Sequence, residues 1–332
     1  MRIWMMLPTR TDGAPHILYY GAGWPTNIGN AFIDLGAMAL LQAAAPAARI
    51  SFASEMPRWL FGPGRRGKGK RSLVDRLRPR PRSLMDNALD IAAHADCDLL
   101  AFAGMAMCDE FVKVNGPTIL KAAERGVGVL LMGTGGFHYD PEEVRTYRAF
   151  MREAKPLAFI SRDNRAFEDY AEQADQVHRG IDCAFFVSDA FTPPALDLGP
   201  YVVVNFDDGP APSIDTGERL ILRSHHDCWE MPEVNLSEKR TLISDVPHDY
   251  LTLYAGAEEV HSDRVHACVA ALSYGRAARL YHPTPRGSLF EAAGASTIRD
   301  RLTRIDPDEV ADKKQTQIKF VSRVIAGLKT KG

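Results

Sequence analysis

From about residue 16 onward, short apolar and β-branched runs alternate with stretches of helical period. HILYYGAG (16–23), RISFASE (49–55), DLLAFAG (98–104), VGVLLMGTG (127–135) and LAFISRD (157–163) read as strands of a parallel sheet. The clearest helix between them spans 140–153, where Asp140 stands as N-cap, Pro141 takes the first helical position and Glu143 is the capping-box acid. The segment DAFTPPALDLGPY (189–201), with three prolines and one glycine, breaks both periods and marks a domain boundary. A second alternation follows: YVVVNFD (201–207), RLILRS (219–224), TLISDV (241–246), EEVHS (258–262) and AARLYH (277–282), with helices over 248–256 and 264–274. Val310, Ile318, Val321, Ile325 and Leu328 set the apolar stripe of a last helix over 307–329. The pattern predicts an α/β fold of two Rossmann-like domains, 1–190 and 191–306, facing a cleft with ligands at the carboxyl ends of the strands. The C-terminal helix within 307–332 is expected to cross back to the first domain.

Composition narrows the class. With 332 residues, 45% apolar and 25% charged, the chain is long enough for two cores and reads as soluble. A formal charge of −2 argues against a nucleic-acid binder. Cys97, Cys108, Cys183, Cys228 and Cys268 are odd in number, widely spaced and without a C-x-x-C pair, so neither a disulfide framework nor a zinc ribbon is indicated. The start, MRIWMMLPTR, is too short in its apolar run for a signal peptide, and the run from Ala31 to Ala48 is interrupted by Asp34 and Gln42. A reducing cytoplasm, at most peripheral to the inner membrane surface, is the expected setting. GRRGKGKRSLVDRLRPRPR (64–82) holds nine basic residues and one acid, a loop able to rest on an anionic membrane or receive a phosphorylated substrate.

The densest candidate chemistry is VHSDRVHACVAA (260–271), which places two histidines and an arginine where a strand ends and a helix begins. Such a corner binds anions, because orphan amides and the helix dipole meet Arg264, whose planar fork suits carboxylate or phosphate. Ser262 or Asp263 serves as N-cap, with Arg264 and His266 in the first turn and His261 at the strand end. GAGWPTNIGNAFID (21–34) opens the first helix, and Gly23, Thr26, Asn27, Gly29 and Asn30 form either a substrate loop or a tight turn. It lacks the third small residue and the later acid of a dinucleotide fingerprint. In SRDNRAF (161–167) Asp163 reads as a cap, and Arg162 as a ligand fork or a partner of Asp163 or Glu168. GTGGFHYD (133–140) reads as an oxyanion nest or a plain loop. HHDCW (225–229) is a weak metal signal, because adjacent strand residues face opposite ways; no metal site is expected.

Three segments, in order, resemble the polysaccharide pyruvyl transferase family: TNIGNAFI, SRDNRAFEDY and HSDRVHACVAALSYGRAARL are similar to its NIGD, sRD and sRLHa segments. The match extends over most of residues 16–295. The resemblance implies a GT-B-like fold and transfer of the enolpyruvyl part of phosphoenolpyruvate to a saccharide hydroxyl, giving a pyruvate ketal in glycan synthesis. It places Arg264 and His266 on the family's Arg-Leu-His donor motif and Arg162 on its mid-chain arginine. Val265 replaces the leucine, Asn30 replaces the acid of NIGD, and AGMAMCDE holds fewer glycines than the family's third-strand loop.

Residue chemistry fits this co-substrate, with no further cofactor. Its carboxylate and phosphate call for two cationic forks and a helix end, which Arg162, Arg264 and the amides near Ser262 and Asp263 offer. The enol carbon needs a proton, for which His266 is the leading acid and His261 the alternative acid or a phosphate ligand. The expected partner is a saccharide acceptor, free or lipid-linked. Two other readings stand beside this one: a GT-B glycosyltransferase using a nucleotide sugar, and a non-catalytic carbohydrate-binding or assembly protein of the same fold.

Overall fold

The structure is a computed structural model that describes residues 13–21, 27–54, 89–104, 106–107, 109–207, 209–226 and 239–328. Gly23, Thr26 and the basic run 64–82 lie outside the described residues.

The first sheet comprises β1 (His16–Gly21), β2 (Arg49–Ser54), β3 (Leu99–Ala103), β4 (Ala106–Met107), β5 (Gly128–Gly136), β6 (Ala158–Ser161) and β7 (Gln176–Arg179). Its order is β2-β1-β3-β5-β6-β7, with β4 beside β5, and every pairing is parallel. The second sheet holds β8 (Tyr201–Asn205), β9 (Leu220–Ser224), β10 (Thr241–Leu242), β11 (Glu259–Ser262) and β12 (Ala277–Leu280), all parallel in the order β10-β9-β8-β11-β12. The fold is thus α/β with two Rossmann-like sheets. Strand β7 escapes sequence reading because QVHR is a short, half-exposed edge strand with one apolar residue. Of the six residues expected for the strand at 241–246, two pair.

In each sheet the order reverses once, between β1 and β3 and between β8 and β11. Crossover helices leave to opposite faces there and open a crevice at the carboxyl ends of the strands. Helix α1 (Gly29–Ala44) is apolar nearly all round and therefore buried. It packs against the turn at 183–186, α6 (Val265–Ser273) and α7 (Pro307–Ala326). One core runs from the first sheet through α1 and the buried segment 181–187 to α5 (Pro247–Gly256), α6 and the second sheet. A separate core lies under α2 (Asp109–Glu124), α3 (Pro141–Ala154) and α4 (Asn164–Tyr170), on the other face of the first sheet. The two halves are therefore joined by apolar packing, which leaves an opening at the strand ends.

Helix α7 lies on α1 and β7. Gln317 Oε1 accepts from Ile181 N at 2.9 Å and Lys314 Nζ reaches Asp189 at 2.7 Å. Its buried Phe320, Val321, Val324 and Ile325 each contribute roughly 1.5–3 kcal/mol of apolar burial. Segment 189–201 is largely exposed. Asp140 caps α3 by accepting from Glu142 N and Glu143 N at 2.9 Å. The capping-box expectation for Glu143 is corrected, since its carboxylate accepts instead from Phe137 N, His138 N and Tyr139 N at 2.8–3.1 Å. Those amides are occupied, so GTGGFHYD is not an open nest. No helix among the described residues is long and apolar enough to cross a membrane.

Candidate functional site

The two crevices face one another. From the second sheet come Asn205 at the end of β8 and Asp207 after it, and Ser262 at the end of β11 with Asp263 and Arg264 after it. The first sheet and α1 contribute Asn27, Gly29, Arg162 and the post-β7 residue Asp182. Between them Asn27, His226, Asp263, Arg264, Val265, His266, His282 and Arg286 enclose a cavity of about 20 Å3. That is room for little more than a water.

The corner at 262–266 differs from expectation in its cap. Arg264 is the N-cap residue of α6 and no side chain caps the helix, leaving its first-turn amides available to an anion. Ser262 Oγ instead accepts from Arg264 N at 2.7 Å and donates to Asn205 Oδ1 at 2.8 Å, which fixes the bend between strand and helix. Asp263 accepts from Asp207 N at 3.0 and 3.1 Å, tying β11 to β8. Neither Ser262 nor Asp263 is the cap. The Asp207 carboxylate holds the fork, with Arg264 Nε at 2.8 Å, His225 Nδ1 at 2.9 Å and His226 N at 3.0 Å. Burial raises its pKa, but His225, His226 and Arg264 outweigh that and hold it below the usual carboxylate range.

His266, the second residue of α6, meets the other half of the molecule. Its Nε2 is buried and turned to Asp182 Oδ2 at 3.7 Å, so Nδ1 is the ring nitrogen that the cavity meets. Asp182 is wholly buried and caps its own turn by accepting from Ala184 N at 2.9 Å. Burial alone would raise its pKa; His266 and Arg162 together lower it, so it is a carboxylate. Arg162 Nη1 lies 3.3 Å from Asp182 Oδ2 and donates to Gly104 O at 3.3 Å. The result is a chain Arg162–Asp182–His266 running from β6 to the cavity.

Of the two roles the sequence left open for Arg162, ligand fork or partner of Asp163 or Glu168, the structure shows a pairing, but with Asp182. Arg162 is 1% exposed and roofed by Gly135, where a Cβ would stand 2.6 Å from its Nε. Asp163 caps α4 through Ala166 N at 2.8 Å and accepts from Tyr139 Oη at 2.6 Å. His261 is also corrected. Strand alternation turns it from the cavity to Glu259 Oε2 (3.2 Å) and Tyr281 Oη (2.9 Å), and burial lowers its pKa.

Asn27 Oδ1 accepts from Gly29 N at 2.9 Å, while Ile28 N donates to His226 O at 2.9 Å across the two halves. Gly29 permits that approach, because a Cβ there would stand 3.0 Å from His266 Cβ and 3.3 Å from His226 Nδ1. Asn30 sits in the first turn of α1 and does not line the cavity. His225 Nδ1 and His226 Nε2 diverge to Asp207 and Tyr254; Cys228 lies outside the described residues.

Sequence reasoning missed Asp182, Asp207 and Arg286, and weighed His226 only within the weak metal signal of 225–229. Asp207 carried a signal, a polar residue at the carboxyl end of the first strand of the second half. Arg286 stacks over Phe137 at 5.3 Å, another contact across the cleft.

No protein-family model matches the chain, and no curated protein matches it. Among solved structures it is similar to a putative UDP-N-acetylglucosamine 2-epimerase from Listeria monocytogenes, at 13% identity over 96% of this chain and 92% of that one, TM-score 0.50. The S. aureus MnaA-UDP co-structure is 11% identical over 93% and 91%, TM-score 0.51. UDP-GlcNAc 2-epimerase from Methanocaldococcus jannaschii is 12% identical over 94% and 98%, TM-score 0.51. These likenesses show the fold, which is GT-B-like.

Proposed function

We propose that this protein is a saccharide-modifying enzyme that holds the phosphorylated part of a nucleotide sugar at the start of α6 and uses His266 as its proton-transfer group. The observation that carries this reading is the meeting of an uncapped helix start and the anchored Arg264 with the Arg162–Asp182–His266 chain from the other half. Phosphate oxygens take the first-turn amides and the Arg264 guanidinium. His266 Nδ1 then removes the proton of an attacking hydroxyl or supplies one to the leaving oxygen, while Asp182 stabilises the imidazolium. The named neighbours of similar fold, UDP-N-acetylglucosamine 2-epimerases, support a nucleotide-sugar substrate.

A second reading is pyruvyl transfer from phosphoenolpyruvate, favoured by the adjacency of fork and acid in Arg264-Val265-His266. His266 would protonate the methylene carbon and a saccharide hydroxyl would add to the carbon bearing the phosphate. Phosphate would leave as a second hydroxyl closes the ketal. In that reaction Arg162 acts through Asp182 and not as a second fork.

The test is release of UDP from UDP-sugars against release of phosphate from phosphoenolpyruvate, each with free and lipid-linked saccharide acceptors. Nucleotide release supports the first reading, and phosphate release alone the second. His266→Gln is expected to lower the observed turnover by roughly 100-fold or more with donor affinity nearly unchanged, and Arg264→Lys to weaken donor binding roughly 10-fold. Binding of a donor without turnover, under every acceptor, overturns the enzyme and leaves a carbohydrate-binding protein.

A further inference from the structure

His226 borders the same cavity and has no part in the proton-transfer chain. It is 1% exposed, and its Nδ1 has no hydrogen-bond partner among the described residues. Everything else about the residue is pinned. Its N–H donates to Asp207 Oδ2 and its carbonyl accepts from Ile28 N, so its backbone is stitched to both halves. Phe32 and Tyr250 meet the ring edge-on, each with centroids 5.6 Å away. On the far side Nε2 lies 2.6 Å from Tyr254 Oη, which lies 3.0 Å from Ser224 Oγ. Gly29 keeps clear the space between this ring and His266, since any side chain there would press on both.

Counting protons along this buried row separates the two tautomers by the proton each leaves without an acceptor, and of these only an Nδ1–H is one that a ligand oxygen in the cavity can take. If Ser224 donates to Tyr254 and Tyr254 donates to Nε2, every hydroxyl proton is used and the imidazole proton sits on Nδ1. The opposite direction strands the Ser224 proton in a site with no exposure and turns a lone pair to the cavity. A buried N–H without an acceptor is costly, and a ligand oxygen that takes it removes the cost on binding.

We propose that, given the phosphorylated donor at the start of α6 on which this role rests, His226 donates from Nδ1 to an anionic oxygen of that donor. It complements Arg264 by adding direction without adding charge. Burial pushes its pKa down to about 3 against the pull of Asp207, with Arg264, His266 and His225 adding to the depression, so the ring stays a neutral donor across the working range.

Nitrogen-detected NMR of the histidine rings in the full-length protein tests this, with UDP and phosphoenolpyruvate as separate probes. The expected result is an Nδ1–H tautomer for His226 at pH 7, whose Nδ1 resonance moves on addition of the probe that binds. His226→Phe should weaken that binding roughly 10- to 100-fold, while His226→Asn, which keeps an N–H close to the Nδ1 position, should recover most of it. Tyr254→Phe, which releases the tautomer, should fall between. An Nε2–H tautomer unmoved by a bound probe overturns the role, as does a folded His226→Phe that binds like wild type. Wild-type protein that binds neither probe overturns the donor site itself, a different failure.

Discussion

The molecule builds the same strand-to-helix corner twice, with two residues exchanged. In the first half β6 ends in Ser161-Arg162-Asp163 and α4 follows; in the second β11 ends in Ser262-Asp263-Arg264 and α6 follows. In both the third residue is the N-cap. Where it is Asp163, the carboxylate satisfies the helix and the preceding arginine turns inward to Asp182. Where it is Arg264, the helix has no side-chain cap, the preceding Asp263 ties down the neighbouring strand, and the guanidinium edges the cavity. Exchange of one acid and one base separates a structural corner from an anion-binding one.

The comparison is most exposed at Arg162. Replacing it with Leu leaves Asp182 buried beside His266 without its arginine, and should cost about 3–5 kcal/mol in urea unfolding. Arg162→Lys keeps the charge and most of the stability but loosens the hold on Asp182, so turnover should fall with donor affinity changed less than roughly threefold. A large loss of donor affinity in Arg162→Lys at normal saturating turnover would make Arg162 a ligand fork, and the two corners alike.

Acid should break the second corner first. Burial holds the folded His226 down to about 3, against the ordinary histidine value of 6.5 in the unfolded chain, so between those values the unfolded chain binds the extra proton. Stability is full above about pH 6.5 and falls as pH drops, by about 3 kcal/mol at pH 4 from this one group. Asp182 and Asp207, both depressed, add losses of the same sign that begin only near and below the unfolded carboxylate value of 3.8. His261 and His178, also depressed by burial, contribute in the upper window. Denaturant titrations from pH 7.5 to 4 should show this slope, and His226→Phe should flatten it by close to one proton. An unchanged slope would mean that His226 is solvated.

The alternation of strands and helices was legible because parallel strands buried on both faces leave unbroken apolar runs; the half-exposed β7 leaves none, and it delivers Asp182. Arg264 and His266 were legible because their chemistry is local to one corner. The partners that set their roles are not local, since Asp182 lies 84 positions from His266 and Asp207 lies 57 from Arg264. His261 was misread for the same reason: sequence proximity to Arg264 counted for more than the alternation that turns it to Glu259 and Tyr281. His226, dismissed within a metal-like run, gains its meaning from Tyr254 and Gly29, which only the packing brings near.

The smallest effect discriminates the corners most cleanly. Asp163→Ala removes the cap of α4 and the acceptor of the Tyr139 hydroxyl, which together should cost about 1–2 kcal/mol. Asp163→Asn keeps a capping oxygen and should recover at least half of that. Because Asp163 is 1% exposed and its carboxylate is committed to Ala166 and Tyr139, neither change should alter donor affinity by more than roughly twofold. Urea unfolding beside calorimetric titration of the same preparations measures both quantities. Were Asp163→Asn to weaken donor binding tenfold while unfolding like wild type, the acid of the first corner would be touching ligand, and the exchange of arginine and aspartate would not divide their roles.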